Sequence, residues 1–399
     1  MAYWHISTFQ FIILSDIIML KKGLFFLLLL FFSWLPVRAQ DLSCGYRITL
    51  ITCAPGNELY SIFGHTAIRV QDSLSGADQV FNYGTFEFSP DFYVQFIRGK
   101  LLYALSVEDY NEFLYTYEIE NRSVVEQELQ LTCEQKKKLF TALLINAKKE
   151  NRYYRYDFLF DNCTTRAKDM VKQQVATSLQ FKDILDGNQP SFRNLIHSYL
   201  DAGNQHWSKL GIDILLGARL DRKVTNEEAM FLPDYLLKGF DRAVINSKNK
   251  LVIPPSTLLK MDSQLGKGFT IHPFFTFLIL LILALFISFR KKKTSLVFDR
   301  IFFVVLGLAG FLLLFMWFGT DHYVARNNYN LLWALPTHIA AAFFINKKGR
   351  VKSVYFLITF WISVMLLLTW FFLPQQMNPA LLPIVCIIVL RSFHLSKNS

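Results

Sequence analysis

The chain has 399 residues, of which 52% are hydrophobic and only 18% are charged. This composition excludes a disordered chain, and the low charged fraction indicates a membrane component, since soluble domains carry about 25% charged residues. The formal net charge of +11 lies in the two apolar ends, because residues 41–271 carry a net charge of −1 and residues 272–399 one of +10. A near-neutral central part argues against nucleic-acid binding, which needs a basic face on the folded domain.

The N-terminus has the features of a secretory signal peptide. Two lysines at residues 21–22 precede an apolar run over residues 23–35, and a small-residue cleavage motif ends at Ala39. We therefore predict a signal peptide over residues 1–39, of which residues 1–18 look like an over-extended start. An uncleaved signal anchor is the alternative interpretation.

Residues 41–271 alternate between two kinds of pattern and predict an α+β domain. Period-two alternation and β-forming residues predict strands over residues 46–53, 65–71, 79–86, 101–107 and 123–131. Helices are predicted from a capping box at residues 132–135, from near Cys163, after residues 190–191 and from a second capping box at residues 225–228. Pro233 should interrupt or restart the last of these helices.

Apolar runs in residues 272–399 predict an all-α membrane bundle of about five spans. The runs cover residues 273–289, 301–319, 331–345, 354–373 and 380–393. A span needs about 20 residues, so the third and fifth runs are short. Eleven of the twelve Lys and Arg residues here lie in alternate loops or the tail, and Arg326 is the exception. This asymmetry places the basic loops in the cytoplasm and residues 41–271 in the periplasm, with the chain in the inner membrane.

Two short motifs have the residue types that thiol chemistry needs. His65 follows Gly64 at the start of a predicted strand, and Cys163 opens a predicted helix with Asn162 or Asp161 as its N-cap. The N–H groups and dipole of a helix N-terminus favour a thiolate and can hold an oxyanion. A His on a neighbouring strand can take the thiol proton and later protonate the leaving group. Each residue alone would more often be structural, but the pair predicts acyl transfer through a thioester.

The order of these motifs, G-H-T-A before D-N-C-T-T-R, resembles the permuted papain-like (NlpC-type) thiol fold that lecithin–retinol acyltransferases share. More narrowly, the chain resembles the lipoprotein N-acyltransferase Lnb family of Gram-negative envelopes. The stretches that carry this resemblance are residues 55–65, 81–86, 161–163, 229–235 and 328–333. The resemblance implies a permuted papain-like thiol domain over residues 41–271, followed by the membrane bundle.

The resemblance also implies a function. A phospholipid donates an acyl chain to Cys163, and the thioester then acylates the α-amine of a diacylglyceryl-cysteine lipoprotein, with His65 as the base. Asn82, on the next predicted strand, is the candidate that orients His65, and an ordinary turn or edge-strand residue is the alternative. The partners expected are the phospholipid donor, the diacylated lipoprotein and the lipid bilayer. No cofactor and no metal are expected, since the eight His residues lack metal-ligand spacing.

Four further residues are candidates for substrate binding. Tyr83 neighbours the orienting Asn, and Arg166 ends the D-N-C-T-T-R motif. Asp321 and His322 lie in an outer loop between predicted spans, on the same side of the membrane as the thiol domain, where they would contact a lipid head group or form a solvated turn. Trp333 is expected at the membrane interface as an aromatic anchor.

Two other classes of function remain open at this point. One is a membrane-anchored cell-wall amidase or peptidase on the same thiol fold, and the other is a non-enzymatic envelope interaction protein with a structural cysteine. The predicted bundle argues against the amidase, because a peptidoglycan hydrolase needs only a tether.

Overall fold

The computed structural model describes residues 44–86, 90–175, 178–268, 270–289 and 292–397. The predicted signal peptide, residues 1–39, lies outside these described residues. Within them the chain is α+β up to residue 259 and helical from residue 273 onward.

A seven-stranded antiparallel sheet forms the centre of the α+β part. The strands of the chain are β1 (Tyr46–Cys53), β2 (His65–Asp72), β3 (Asp78–Thr85), β4 (Leu102–Asp109), β5 (Val124–Glu128), β6 (Tyr153–Arg155), β7 (Leu179–Gln180), β8 (Val244–Ile245), β9 (Asn249–Lys250) and β10 (Ser256–Leu259). The large sheet has the order β10-β5-β1-β2-β3-β4-β6, and β7, β8 and β9 form a small second sheet. The five predicted strands are all present, within a few residues of their predicted ends.

Seven helices accompany these strands among the described residues. They are α1 (Phe92–Arg98), α2 (Tyr110–Ile119), α3 (Cys133–Ala147), α4 (Cys163–Val175), α5 (Phe192–Ala202), α6 (His206–Leu215) and α7 (Pro233–Arg242). The predicted capping box at residues 132–135 forms, and a second one, from Ser191 to Asn194, opens α5. The capping bonds between Thr225 and Glu228 also form but lead only into a 3₁₀ turn. Pro233 then begins α7, where its missing N–H costs nothing.

Side-chain alternation gives the large sheet two apolar faces. One face presents Ile48, Leu50 and Phe81 to the main core, which α3 and α4 complete. The other face presents Ile51 and Val80 to α2. Because α4 packs on β2 and β3, the first residue of α4 is held against the sheet near the start of β2.

The C-terminal part consists of α8 (Pro273–Ser288), α9 (Lys292–Phe318), α10 (His338–Phe344), α11 (Arg350–Thr369) and α12 (Leu382–Lys397). Within the described residues, three helices are long and apolar enough to cross a membrane, namely Ser295–Phe318, Arg350–Thr369 and Pro379–Lys397. The apolar helix α8 is shorter, and so is α10. The run predicted over residues 331–345 is broken because Pro336 lacks an N–H group, and α10 starts only at His338.

Two side chains of the C-terminal part differ from their sequence-based interpretation. Trp333 is only 4% exposed, and its indole N–H donates to Asn330 at 2.9 Å. The expectation that Trp333 is an interfacial anchor is therefore wrong, because its indole is buried and hydrogen-bonded to a buried polar side chain. Arg391, assigned to the cytoplasmic tail, is fully buried and forms a two-bond ion pair with Asp299, at 2.6 and 2.8 Å.

A buried polar network joins the α+β part to the helical part. The carboxylate of Asp213 in α6 accepts hydrogen bonds from Arg193 at 2.6 Å and from Asn378 at 2.8 Å, and it contacts His197 at 2.8 Å. Side-chain amides from the helical part donate to backbone carbonyls at residues 213–216; they belong to Asn328, Asn330 and Gln375. These contacts fix the α+β part to the segments that connect α9 with α10 and α11 with α12.

Candidate active site

Cys163 is the first residue of α4 and is half-buried. Asn162 is the N-cap, because its side-chain oxygen accepts from the N–H groups of Thr164 and Thr165, both at 2.8 Å. The amide group of Asn162 also donates to the carbonyl of Phe231 at 2.9 Å, which ties the cap to the turn before α7. In the part of the chain that the structure describes, the amide N–H of Cys163 has no acceptor, so it is available to an incoming oxyanion.

The side chains of His65 and Cys163 lie beside each other, because a Cβ on Gly84 would lie 3.5 Å from the Cβ of Cys163 and 4.0 Å from Cε1 of His65. The other side of the imidazole faces Asn82, with His65 Nε2 at 2.6 Å from Asn82 Oδ1. Asn82 Nδ2 donates to Glu108 at 2.9 Å, which orients the amide with its oxygen toward the imidazole. In the neutral imidazole, Nε2 therefore carries the hydrogen and Nδ1 is the basic nitrogen left for the thiol. This is the tautomer that a general base needs.

The electrostatics of the pair favour a thiolate beside an imidazolium. Burial by itself raises the pKa of Cys163, but the charge and hydrogen bond of His65, with the backbone N–H of Thr66 and the hydroxyl of Thr164, lower this pKa to about 7. Burial by itself lowers the pKa of His65, but the Cys163 thiolate and Asn82 raise it above its usual value. A thiolate therefore forms near neutral pH.

Two glycines allow the close approach of these elements. Gly84 has a φ of +91° at a bulge in the β3–β4 pairing, and a Cβ there would lie 3.5 Å from the Cβ of Cys163. Gly64 has a φ of +79°, and a Cβ there would lie 2.8 Å from the carbonyl oxygen of Cys53. A larger residue at either position would disturb the start of β2 or the contact between α4 and β3.

Tyr83 and Arg166 are placed differently from Cys163 and His65. Tyr83 is 1% exposed, and its hydroxyl donates to Asn146 at 2.7 Å, on the face of β3 opposite to Asn82. Arg166 forms a two-bond ion pair with Asp161 at 2.6 and 2.8 Å. Its guanidinium also lies over the ring of Tyr154, 3.5 Å from the centroid. The described contacts of both residues are internal to the domain.

Asp321 and His322 contact α1. The backbone N–H of Asp321 donates to the carbonyl of Arg98 at 3.0 Å, and its carboxylate lies 3.7 Å from the guanidinium of Arg155. His322 Nε2 lies 3.1 Å from the carbonyl oxygen of Phe96. The outer loop of the helical part therefore holds the last turn of α1.

Two contributors to the site were missed from the sequence. Glu108 orients Asn82, and the backbone N–H of Thr66 helps to lower the pKa of Cys163. Strand register brings Glu108 and Ser106 to one face of β4, beside Asn82 on β3. Their spacing of two residues indicates that Ser106 and Glu108 share one face of a strand. The sequence does not indicate the register that places them beside Asn82, because that register is set in the folded sheet.

The fold and the site together define a membrane protein with an α+β domain in which a cysteine at a helix start lies beside a histidine that is hydrogen-bonded to an asparagine. Comparison with protein families then gives the particular family. Residues 43–198 match the Lnb N-terminal periplasmic domain, and residues 265–398 match the Lnb transmembrane domain. The chain belongs to the Lnb family of lipoprotein N-acyltransferases, and it is a membrane protein with a periplasmic domain. No curated protein and no solved structure gives a match.

Proposed function

We propose that this protein is a multi-pass inner-membrane enzyme that moves an acyl chain from a phospholipid to the α-amine of a diacylglyceryl-cysteine lipoprotein, through a thioester on Cys163. The observation that carries the proposal is the proximity of Cys163, at the N-terminus of α4, to His65, whose imidazole is held by Asn82. Membership of the Lnb family supports the substrate class.

The first half-reaction acylates the enzyme. The Cys163 thiolate attacks the ester carbonyl carbon of the phospholipid, and the amide N–H of Cys163 donates to the oxyanion that forms. The ester C–O bond then breaks, and His65, as the imidazolium, gives its proton to the departing glycerol oxygen. The products are a lysophospholipid and an S-acylated Cys163.

The second half-reaction transfers the acyl chain. The α-amine of the lipoprotein cysteine attacks the thioester carbonyl, and neutral His65 takes the proton that the nitrogen loses. The C–S bond breaks, which returns the Cys163 thiolate and releases the amide. Asn82 keeps the imidazole in the same orientation in both halves, because it accepts from Nε2 whether or not Nδ1 is protonated.

The proposed topology suits two lipid substrates. We place a signal peptide at residues 1–39, a permuted papain-like thiol domain at residues 41–271 and a bundle of about five membrane helices at residues 272–399. The three helices long enough to span a membrane support this arrangement. A domain fixed at the outer leaflet meets both substrates at a high effective concentration.

The proposal is tested in cells whose only lipoprotein N-acyltransferase is this protein. Cys163→Ala should make lipoproteins with a free α-amine accumulate, because no thioester forms, whereas Cys44→Ala should leave them N-acylated. Mass spectrometry of lipoprotein N-termini measures both. Complete N-acylation with Cys163→Ala would exclude the proposal. Altered muropeptides with unchanged N-acylation would favour the amidase.

A further inference from the structure

A cavity of about 490 Å³ lies between α1 and the sheet. Its walls include Thr85, Phe86, Leu102, Ala104, Ser106 and Tyr153. This volume is within the range of about 300–1,000 Å³ for pockets that hold small molecules. Five of the ten lining residues are aromatic or aliphatic, and the polar ones include Asp91, Gln95 and Lys100, but most of the exposed wall surface is apolar, which suits an apolar ligand.

Cys163 and His65 do not line the cavity themselves, but Thr85 and Ser106 in its wall adjoin residues beside them. Thr85, in its wall, follows Gly84, and a Cβ on Gly84 would lie 3.5 Å from the Cβ of Cys163 and 4.0 Å from Cε1 of His65. Ser106, also in its wall, donates to the backbone carbonyl of Asn82 at 3.3 Å. A group attached to the sulfur of Cys163 is therefore only one residue away from this space.

The helix α1, which contributes Gln95 to the cavity wall, also exposes apolar side chains. Val94, Phe96 and Ile97 on α1 are 55%, 53% and 46% exposed. Residues Asp321 and His322, three and four positions after the end of the candidate span at Phe318, hydrogen-bond to the last turn of α1. The exposed apolar side chains thus lie close to the end of a candidate membrane helix, which is where such side chains can contact lipid.

We propose that this cavity binds the acyl chain that Cys163 accepts, and that the chain enters it from the bilayer past α1. This inference rests on the proposed function and adds to it the site that binds the acyl chain of the donor. The wall at Thr85 and Ser106 lies toward the ester carbonyl, and the apolar wall at Phe86 and Leu102 contacts the hydrocarbon.

The test compares two donors, dihexanoyl- and dipalmitoyl-phosphatidylethanolamine, with the full-length protein in detergent. Ala104→Phe fills the cavity, so the ratio of Cys163 acylation by the long chain to that by the short chain should fall at least about tenfold, since one or two methylenes of misfit are worth that much. Ala77→Phe, in the exposed turn between β2 and β3, is the matched control and should keep the wild-type ratio. Mass spectrometry of Cys163 measures the ratio.

A second variant guards against misfolding of the first. Leu102 is half exposed, so Leu102→Ala should fold, and it should also lower the ratio because the hydrocarbon loses an apolar wall. Val107→Ala, on the same strand but outside the cavity, is its control. An unchanged ratio in Ala104→Phe and Leu102→Ala would overturn the inference, as would an equal loss with both donors in both variants. Absence of any acyl adduct in the wild type would instead contradict the proposed function.

Discussion

At the scale of single residues, the site depends on a chain of hydrogen bonds that ends at a carboxylate. Glu108 accepts from Nδ2 of Asn82, so the oxygen of Asn82 faces His65, and the basic nitrogen of His65 faces Cys163. Without Glu108 the amide of Asn82 can turn over, and its NH₂ group would then face Nε2 of the imidazole. Nε2 would become the basic nitrogen, on the side away from the thiol. Glu108 is therefore a positioning residue.

This order of bonds predicts the pH dependence of thiol reactivity. Alkylation of Cys163 by iodoacetamide should rise through pH about 7 in the wild type, because the thiolate is the reactive form and predominates above the pKa of about 7. In Glu108→Ala the imidazolium is held less well, so the midpoint of this rise should move to higher pH. Rates of alkylation measured from pH 5 to pH 10, with the labelled residue identified by mass spectrometry, test this.

The matched control is Glu118→Ala, an exposed carboxylate on α2. The Glu118→Ala variant should keep the wild-type midpoint of alkylation, because the carboxylate that it lacks lies outside the hydrogen-bond chain. A midpoint that stays near pH 7 in Glu108→Ala, or that moves equally in both variants, would contradict the positioning role.

At the scale of elements, local patterns predicted the strands well and the contacts between elements poorly. Period-two alternation predicted the bounds of β1 and β2 to within one residue, and the placement of Cys163 at a helix start was confirmed. The helix α1 was missed, since it has only seven residues. Its contact with His322 joins residues far apart in sequence, so no local pattern could have indicated it.

The turn before β2 gives a prediction at this scale. Gly64 and Gly76 both have a φ above +70°, but a Cβ would meet the carbonyl oxygen of Cys53 at 2.8 Å at Gly64 and nothing within 4 Å at Gly76. Gly76→Ala should cost only the conformational strain, about 1 kcal/mol. Gly64→Ala should cost about 2–3 kcal/mol and lower Cys163 acylation, because the backbone beside His65 must also shift.

Thermal unfolding and single-turnover acylation of the two glycine variants provide the comparison. Their difference isolates the steric contact, since the strain is common to both. Equal stability and equal acylation of the two variants would show that the approach of Cys53 does not constrain the start of β2.

At the scale of the whole molecule, the α+β part and the helical part are one structure joined at Asp213. The guanidinium of Arg193 is fully buried there and forms ion pairs with Asp213 and Asp221. The sequence indicated two separate parts, and its pattern predicted Trp333 as an aromatic anchor at the membrane interface. It could not indicate this network, because its members come from distant segments and meet only after both parts have folded.

Removal of one charge from this network should destabilise the molecule. Asp213→Asn leaves Arg193 short of a buried partner, which should lower the free energy of unfolding by about 3–5 kcal/mol. Asp201→Asn removes the carboxylate of the more exposed pair with Lys209 and should cost less than about 1 kcal/mol. Thermal unfolding in detergent distinguishes the two, and equal stabilities would mean that the network does not hold the parts together.

The central claim is that the sulfur of Cys163 carries the acyl group between the two lipids. The most direct measurement is mass spectrometry of the purified full-length protein after incubation with phospholipid vesicles and no lipoprotein. We predict a fatty acyl adduct on Cys163 that hydroxylamine removes and that disappears when the lipoprotein acceptor is added. Formation of N-acylated lipoprotein by a protein that never carries this adduct, or by Cys163→Ala, would contradict the account.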